Sequence, residues 1–405
     1  MRRGLSVAGC LLTILGAACQ PTSQPAASKP SAQPSVPAAS RWQQVDLPRM
    51  PEGRRTAVYD AKRDCIWIVS LVIAQLEGAT DFATVTRLDP STKAVTQTGL
   101  RIPARDFYGA SVLLDPGGNL WMGWGRQLFE YEPTTGDLQT YDLPSWSALR
   151  VQPPGWSGGG MFVSFAMDSK GEVWYAVDEV RTLFGFNPRT KRWDRQIRLP
   201  WSVSYGSLAA PRPGLLTING WFATIDIATG RVTKYSQAVN DYTMVNANTV
   251  VFVNRAGDLA RLDLTTRELT ILDGGNPIYP ALGPLTTAAE KLVWFGMGTG
   301  VGRVDLATGV VTRYEFPLVV PTQPVENQCA PISGPMDPPC FRPCPTGVSS
   351  CIPKPYVPSA EINGVIVDGT GNVWAVTELP GSPDPAYSGR LYSALGPVME
   401  LRAAS

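Results

Sequence analysis

Short runs of alternating apolar and polar residues, broken by clusters of Asp, Asn, Pro, Gly and Thr, fill the chain from Arg41 onward. A period of two places one face of a strand in a core. One phrase recurs six times: an alternating run, an acidic or polar residue, a turn, then a second alternating run. It reads Leu88-Asp89-Pro-Ser-Thr92-Lys93, Tyr131-Glu132-Pro-Thr-Thr135-Gly136, Phe186-Asn187-Pro-Arg-Thr190-Lys191, Ile225-Asp226-Ile-Ala-Thr229-Gly230, Leu262-Asp263-Leu-Thr-Thr266-Arg267 and Val304-Asp305-Leu-Ala-Thr308-Gly309. The threonines are 43, 55, 39, 37 and 42 residues apart. The Asp, Glu or Asn caps the turn by accepting backbone amides, Pro presets φ, and Gly takes a left-handed position. Each phrase therefore predicts a β-hairpin that forms the outer half of a small sheet.

A second phrase precedes the first in several repeats: Asp115-Pro-Gly-Gly-Asn-Leu-Trp121, Asp168-Ser-Lys-Gly-Glu-Val-Trp174, Asp368-Gly-Thr-Gly-Asn-Val-Trp374, and a looser Asp60-Ala-Lys-Arg-Asp-Cys-Ile-Trp67. It predicts an inner hairpin, which makes four strands per unit. Four-stranded units of about 40–50 residues are the blades of a β-propeller. Seven blades are expected, at roughly 49–103, 104–144, 145–200, 201–236, 237–275, 276–317 and 359–403, and a count of six or eight would still fit the spacing. Blade four lacks the Trp turn and carries Ala209-Ala-Pro-Arg-Pro-Gly-Leu-Leu216 instead; blade seven carries a degenerate outer hairpin at 390–401. The isolated run Trp42-Gln-Gln-Val-Asp-Leu-Pro48 reads as an outermost strand, expected to close the ring on the last blade and hide its edge.

The blade phrase, Asp-x-x-Gly-Asn-x-Trp followed by an Asp-x-x-Thr-Gly hairpin and a strand ending in Leu-Pro, resembles the virginiamycin B (streptogramin) lyase family over about 41–317 and 359–403. The resemblance implies an all-β propeller. Those lyases use a histidine and a Mg²⁺ held partly by glutamate. This chain has no histidine at all, so the fold carries over and streptogramin lyase activity does not.

The missing histidine also excludes Ser-His-Asp and Cys-His catalysis and imidazole–metal sites. Lys+Arg is 35 against Asp+Glu 34, a net charge of +1, so no basic face is available for nucleic acid. Residues 1–19 form a secretory-type leader: Arg2-Arg3, an apolar stretch from Leu5 to Leu15, then Gly16-Ala17-Ala18 before Cys19. Small residues ending at a cysteine resemble the lipobox of bacterial lipoproteins, which implies lipidation at Cys19, export, and attachment to a membrane through that lipid alone. Of residues 20–40, Pro, Ser and Ala make up 15 of 21, the composition of a flexible tether. The propeller is assigned to 41–405, with 318–358 as an insertion before the last blade.

Residues 317–358 contain 12 prolines, which argues against any helix or sheet there. Cys329, Cys340, Cys344 and Cys351 lie in this stretch. In an oxidising compartment they read as two disulfides of undetermined pairing rather than a zinc site, because paired CxxC hooks are missing. The insertion is expected to be a lid, a docking loop, or a stapled excursion without a role. Cys65, within an apolar strand, reads as a small buried hydrophobe.

Segments leading into the innermost strands gather at one mouth of a propeller. They place Arg55, Tyr108, Trp156, Tyr205, Tyr242, Tyr279 and Asn363 there as candidate ligand-binding residues. The aromatic members suit a small molecule, glycan, peptide or protein, and the same rings could instead pack between blades. Arg54-Arg55 reads as a solvated pair. The leading expectation is a monomeric, non-catalytic binding module without a cofactor. The alternative resembles the calcium-dependent propeller hydrolases and lactonases. There Glu52, Asn240, Asp241 and Asn363 are the nearest oxygen donors, and three of them would have to converge within about 2.3–2.6 Å of one point.

Overall fold

The computed structural model describes residues 42–45, 47, 55–71, 82–102, 111–124, 127–144, 163–177, 180–201, 207–254, 257–272, 285–288, 291–297, 300–316, 325–327, 341–343, 361–379 and 394–402, and the regular elements among them are all strands. The first is β1 (Trp42–Val45). Blade one is β2 (Arg55–Asp60), β3 (Cys65–Leu71), β4 (Phe82–Leu88) and β5 (Val95–Arg101). Blade two is β6 (Ser111–Leu114), β7 (Leu120–Trp124), β8 (Gln127–Glu132) and β9 (Asp137–Asp142). Blade three is β10 (Val163–Met167), β11 (Val173–Val177), β12 (Thr182–Asn187) and β13 (Arg192–Arg198). Blade four is β14 (Leu208–Arg212), β15 (Leu215–Ile218), β16 (Gly220–Asp226) and the first half of β17 (Val232–Asn246). Blade five is the rest of β17, then β18 (Thr249–Asn254), β19 (Leu259–Asp263) and β20 (Leu269–Ile271). Blade six is β21 (Leu285–Ala288), β22 (Leu292–Met297), β23 (Gly300–Asp305) and β24 (Val311–Glu315). A ribbon of β25 (Val325–Asn327) and β26 (Phe341–Pro343) follows. Blade seven uses β27 (Glu361–Val367), β28 (Val373–Leu379) and β29 (Ala394–Leu401).

The fold is a seven-bladed β-propeller. Innermost strands touch around the ring: β2 meets β6 and β27, β10 meets β6 and β14, and β21 meets β17 and β27. As expected, β1 completes blade seven, with Trp42 opposite Leu401 and Val45 opposite Val398. Within the degenerate outer hairpin expected at 390–401, the described residues 394–401 form a single strand, and the N-terminal strand fills the fourth place. Two further expectations are corrected. No turn separates blades four and five, since β17 leaves one sheet and enters the next in a single 15-residue strand. The proline-rich insertion does hold a sheet, but only three residues long on each side, with Pro343 at its end. Prolines tolerate a short ribbon edge where they would break a longer ladder.

The core is divided among the blade interfaces. Among the described residues seven apolar clusters are present, each joining two neighbouring blades. Strand β3 shows how one strand serves two of them. Cys65, Trp67 and Val69 face blade two, while Ile66 and Ile68 face blade seven. Burial pushes the Cys65 thiol pKa up, in keeping with a packing role.

The inner turns are built on a carboxylate with two tasks. In blades one, two, three and seven one oxygen accepts turn amides, such as Lys170 and Glu172 on Asp168 at 2.8 and 3.1 Å. The other accepts the Trp indole N–H: Asp60 from Trp67 at 3.2 Å, Asp115 from Trp121 at 3.1 Å, Asp168 from Trp174 at 3.1 Å and Asp368 from Trp374 at 2.8 Å. The cap was legible in the sequence and the indole bond was not. The outer turns follow the predicted phrase, with Asp89, Asn187, Asp226, Asp263 and Asp305 each accepting turn amides. The residue after the threonine is left-handed, at Gly136, Gly230 and Gly309 but also at Lys93, Lys191 and Arg267. Lys93 has a reason to be there. Its Nζ lies 2.6 Å from Glu400, which is 1% exposed in β29, and 4.4 Å from the Trp374 ring centroid. The pair ties blade one to blade seven beside the ring closure.

Two outcomes are expected. Lys93→Met should leave Glu400 buried without its ammonium partner and lower the unfolding free energy by about 3 kcal/mol, part of which Glu400→Gln in the same chain should restore. Urea titrations that superimpose on wild type would show the pair to be idle. Asp168→Ala should cost about 2–3 kcal/mol, because two amides and an indole lose their acceptor. Asn246→Ala in blade five, where the equivalent turn between β17 and β18 holds no Trp and the Asn accepts the Asn248 amide at 2.9 Å, should cost about 1 kcal/mol.

Candidate functional site

The mouth lies where the innermost strands begin and the second strands end. Buried polar side chains at that end are Arg55 opposite Ser70, Ser164, Asn219 and Thr377, with Thr217 one residue further in. Most of the described contacts bind blade to blade. The Ser164 hydroxyl accepts the Leu208 N–H at 2.7 Å, joining blades three and four. Within blade four, Asn219 Oδ1 accepts the Ser207 N–H at 2.5 Å, and Ser207 O accepts the Asn219 N–H at 3.1 Å.

Asp241 and Tyr242 lie inside β17, not on a connecting loop, and the register shifts between Val239 and Asp241. Strand geometry turns the two side chains to opposite faces. Tyr242 is buried at 7% exposure; its hydroxyl contacts the Thr217 hydroxyl at 2.9 Å and the Thr217 carbonyl at 2.8 Å. It also packs edge-on against Phe222, so it fills the interface between blades four and five. Burial raises its phenol pKa, and the nearby Asp241 charge adds to this. Asp241 accepts the N–H of Tyr242 at 2.8 Å and of Leu285 at 3.3 Å, and the Ser207 hydroxyl. One carboxylate thus joins blades four, five and six. Burial pushes its pKa up to about 6, and these three bonds hold the rise in check.

The candidates fall into three groups. Arg55 and Tyr242 are both buried at the inner end of their blades, so the expectation of a solvated Arg55 is corrected: it is 4% exposed at the first position of β2. Asn240 and Asn363 are placed by backbone alone, in β17 and β27. Tyr108, Trp156, Tyr205, Tyr279, Glu52, Cys19, Cys329, Cys340, Cys344 and Cys351 lie outside the described residues. The polar residues Ser164, Thr217, Ser207 and Asn219 escaped the sequence reading. Single Ser, Thr and Asn residues in alternating strands carry no signal, and their partners are 12 to 44 residues away.

Together the ring, its closure and its mouth define a seven-bladed propeller of the lyase-like kind. In structure the chain is similar to virginiamycin B lyase from Staphylococcus aureus, with a TM-score of 0.58, 14% identity, and coverage of 90% of this chain and 99% of that one. It is also similar to the Neurospora crassa Pan2 WD40 domain, with a TM-score of 0.50, 14% identity, and coverage of 69% of this chain and 87% of that one. No family model matches the sequence, and no curated protein matches it. Likeness at this identity establishes the fold.

The raised Asp241 pKa gives a pH dependence of known sign. The folded state favours the protonated acid up to about pH 6, whereas an unfolded Asp ionises near 3.9. Stability from this group is therefore full below about pH 4 and is lost as pH rises through 6. Wild type minus Asp241→Asn stability, from denaturant unfolding, should fall by roughly 2 kcal/mol between pH 4 and pH 7. A difference that stays flat across that window would refute the buried-acid assignment.

Proposed function

We propose that this chain is an exported, lipid-tethered propeller. It presents the mouth of its ring to a protein, peptide or glycan partner and binds it without turnover. The observation that carries the reading is the closed seven-bladed ring, whose innermost strands all begin at one end and so gather their leading segments around a single mouth. The propeller architecture is consistent with a binding module, and the chain lacks the histidine that the related lyases use. Asp241, the member of the calcium alternative whose side chain is described, supports binding over metal chemistry, because its oxygens already accept three protein donors.

The full chain made in a bacterial host should incorporate labelled palmitate and require detergent for extraction, and Cys19→Ala should abolish both. A photo-crosslinking amino acid at Trp201, partly exposed at the mouth end of blade three, should capture a partner that the same group at Lys170, exposed on that blade's opposite end, does not. Label retained in Cys19→Ala, or equal capture at both ends, defeats the reading.

A further inference from the structure

Four cysteines lie in the insertion before blade seven: Cys329, Cys340, Cys344 and Cys351. They fall outside the described residues, but the two short strands beside them are described. Four cysteines allow three pairings. The ladder of β25 and β26 decides among the three. It sets Val325 opposite Pro343, Glu326 opposite Arg342 and Asn327 opposite Phe341. Cys340 directly precedes β26 and Cys344 directly follows it, while Cys329 is two residues beyond the end of β25.

A disulfide needs its two Cα atoms within about 7 Å of each other. Cys340 and Cys344 fail that test. The three residues between them are extended, and four extended steps of about 3.3 Å hold their Cα atoms about 13 Å apart. Cys329 and Cys344 fail it as well, because they leave the ribbon at opposite ends. Strand β25 carries the chain three steps, about 10 Å, from Val325 to the Cα of Gln328. One bond of about 3.8 Å from there brings Cys329 no nearer to Val325 than about 6 Å along the strand, whatever its conformation. Cys344 lies a further step beyond Pro343 on the other side, so at least about 9 Å separates the two. The first exclusion removes the pairing that joins Cys329 to Cys351. The second removes the pairing that joins Cys340 to Cys351.

We propose that the insertion is stapled to itself by the bonds Cys329–Cys340 and Cys344–Cys351, and to no part of the ring. Cys340 follows the ladder position opposite Gln328, so Cys329 is its neighbour at the open end of the ribbon. Six residues with Gly347 among them separate Cys344 from Cys351, which lets the chain turn back. The ribbon has its own need for such a bond. Two strands of three residues, one ending in a proline that donates no amide, do not hold together alone in water. Cys65 takes no part, because it is fully buried in the cluster between blades one and two. Each bond forms when one thiolate attacks the disulfide of an oxidant and the second thiolate attacks the mixed disulfide. Two thiols give up two protons and two electrons, and the oxidant's disulfide becomes two thiols. In the cell the bonds rest on the export reading, which supplies the oxidising compartment; the choice of partners does not.

The full chain is oxidised with glutathione disulfide, its free thiols are blocked, and it is cleaved without reduction. Cyanogen bromide cuts after Met336 and chymotrypsin after Phe341, which places Cys329, Cys340 and the segment holding Cys344 and Cys351 on separate peptides. Mass spectrometry should find the first two peptides joined. The third should be alone, lighter than its reduced form by the two lost hydrogens. Either other pairing joins all three peptides, and that result, or four blocked thiols, would overturn the proposal. In the same oxidation Cys340→Ser should leave Cys329 as the newly blocked thiol of this stretch, and Cys344→Ser should leave Cys351; a different thiol appearing in either variant also sinks the assignment. Because the oxidation is done on purified protein, a chain that proves not to be exported or tethered leaves this outcome unchanged.

Discussion

Each blade is apolar on both faces, and that constraint decides the architecture. A strand such as Cys65-Ile-Trp-Ile-Val has no solvent side; its odd and even residues belong to different interfaces. A sheet of this kind cannot end a stack without exposing one face. The ring removes the problem, because the last blade covers the first. Closure therefore bears on every interface, and it depends on a four-residue strand, β1, and on the Lys93–Glu400 pair beside it, partly exposed at the lysine and buried at the glutamate. Burying an ion pair brings little net stability, but breaking one is costly. The pair therefore discriminates against an open ring more than it strengthens a closed one.

The repeated Asp–Trp contact solves a second problem. A fully buried indole needs an acceptor for its N–H, and a tight turn needs acceptors for its amides. One carboxylate at the end of the innermost strand reaches both. In blades one and seven burial works against the charge, yet the bonds to Arg63 and Trp67 at Asp60, and to Trp374 and Thr370 at Asp368, outweigh it and hold both acids below the usual range. The exceptions follow the same logic. Blade five has Asn246 in the turn and Val251 in the place of the Trp, so both partners are replaced together. Blade six keeps Trp294 without the acid, and Arg303 lies 5.7 Å from its ring instead.

These paired demands explain what was legible in the sequence. Turn chemistry is local, so the hairpins, the blade count and the closing strand followed from spacing. The continuous β17 did not. Nothing in Val232–Asn246 signals a change of sheet, because alternation continues through it while the neighbouring strand changes. The mouth was harder still. Arg55 looked solvated beside Arg54 because a two-residue charge run says nothing about the β3 strand that pairs with it. Tyr242 stood out as an aromatic near an expected loop, and packing claimed it. Asp241 was singled out for its carboxylate, which proved to matter for reaching three blades.

The polar residues described at the mouth thus do two jobs that oppose each other. A mouth that recognises a partner needs donors and acceptors turned toward solvent, while a ring of separate sheets needs the same groups to join its inner strands. In blades three to six the second need prevails: Ser164, Ser207, Asn219, Asp241 and Tyr242 bond to protein. Among the described residues of those blades, this leaves the inner wall with its polar groups largely satisfied. Under the proposed reading, recognition would then fall to groups mounted on that wall rather than to the wall itself, the arrangement expected when a stable scaffold positions variable binding segments.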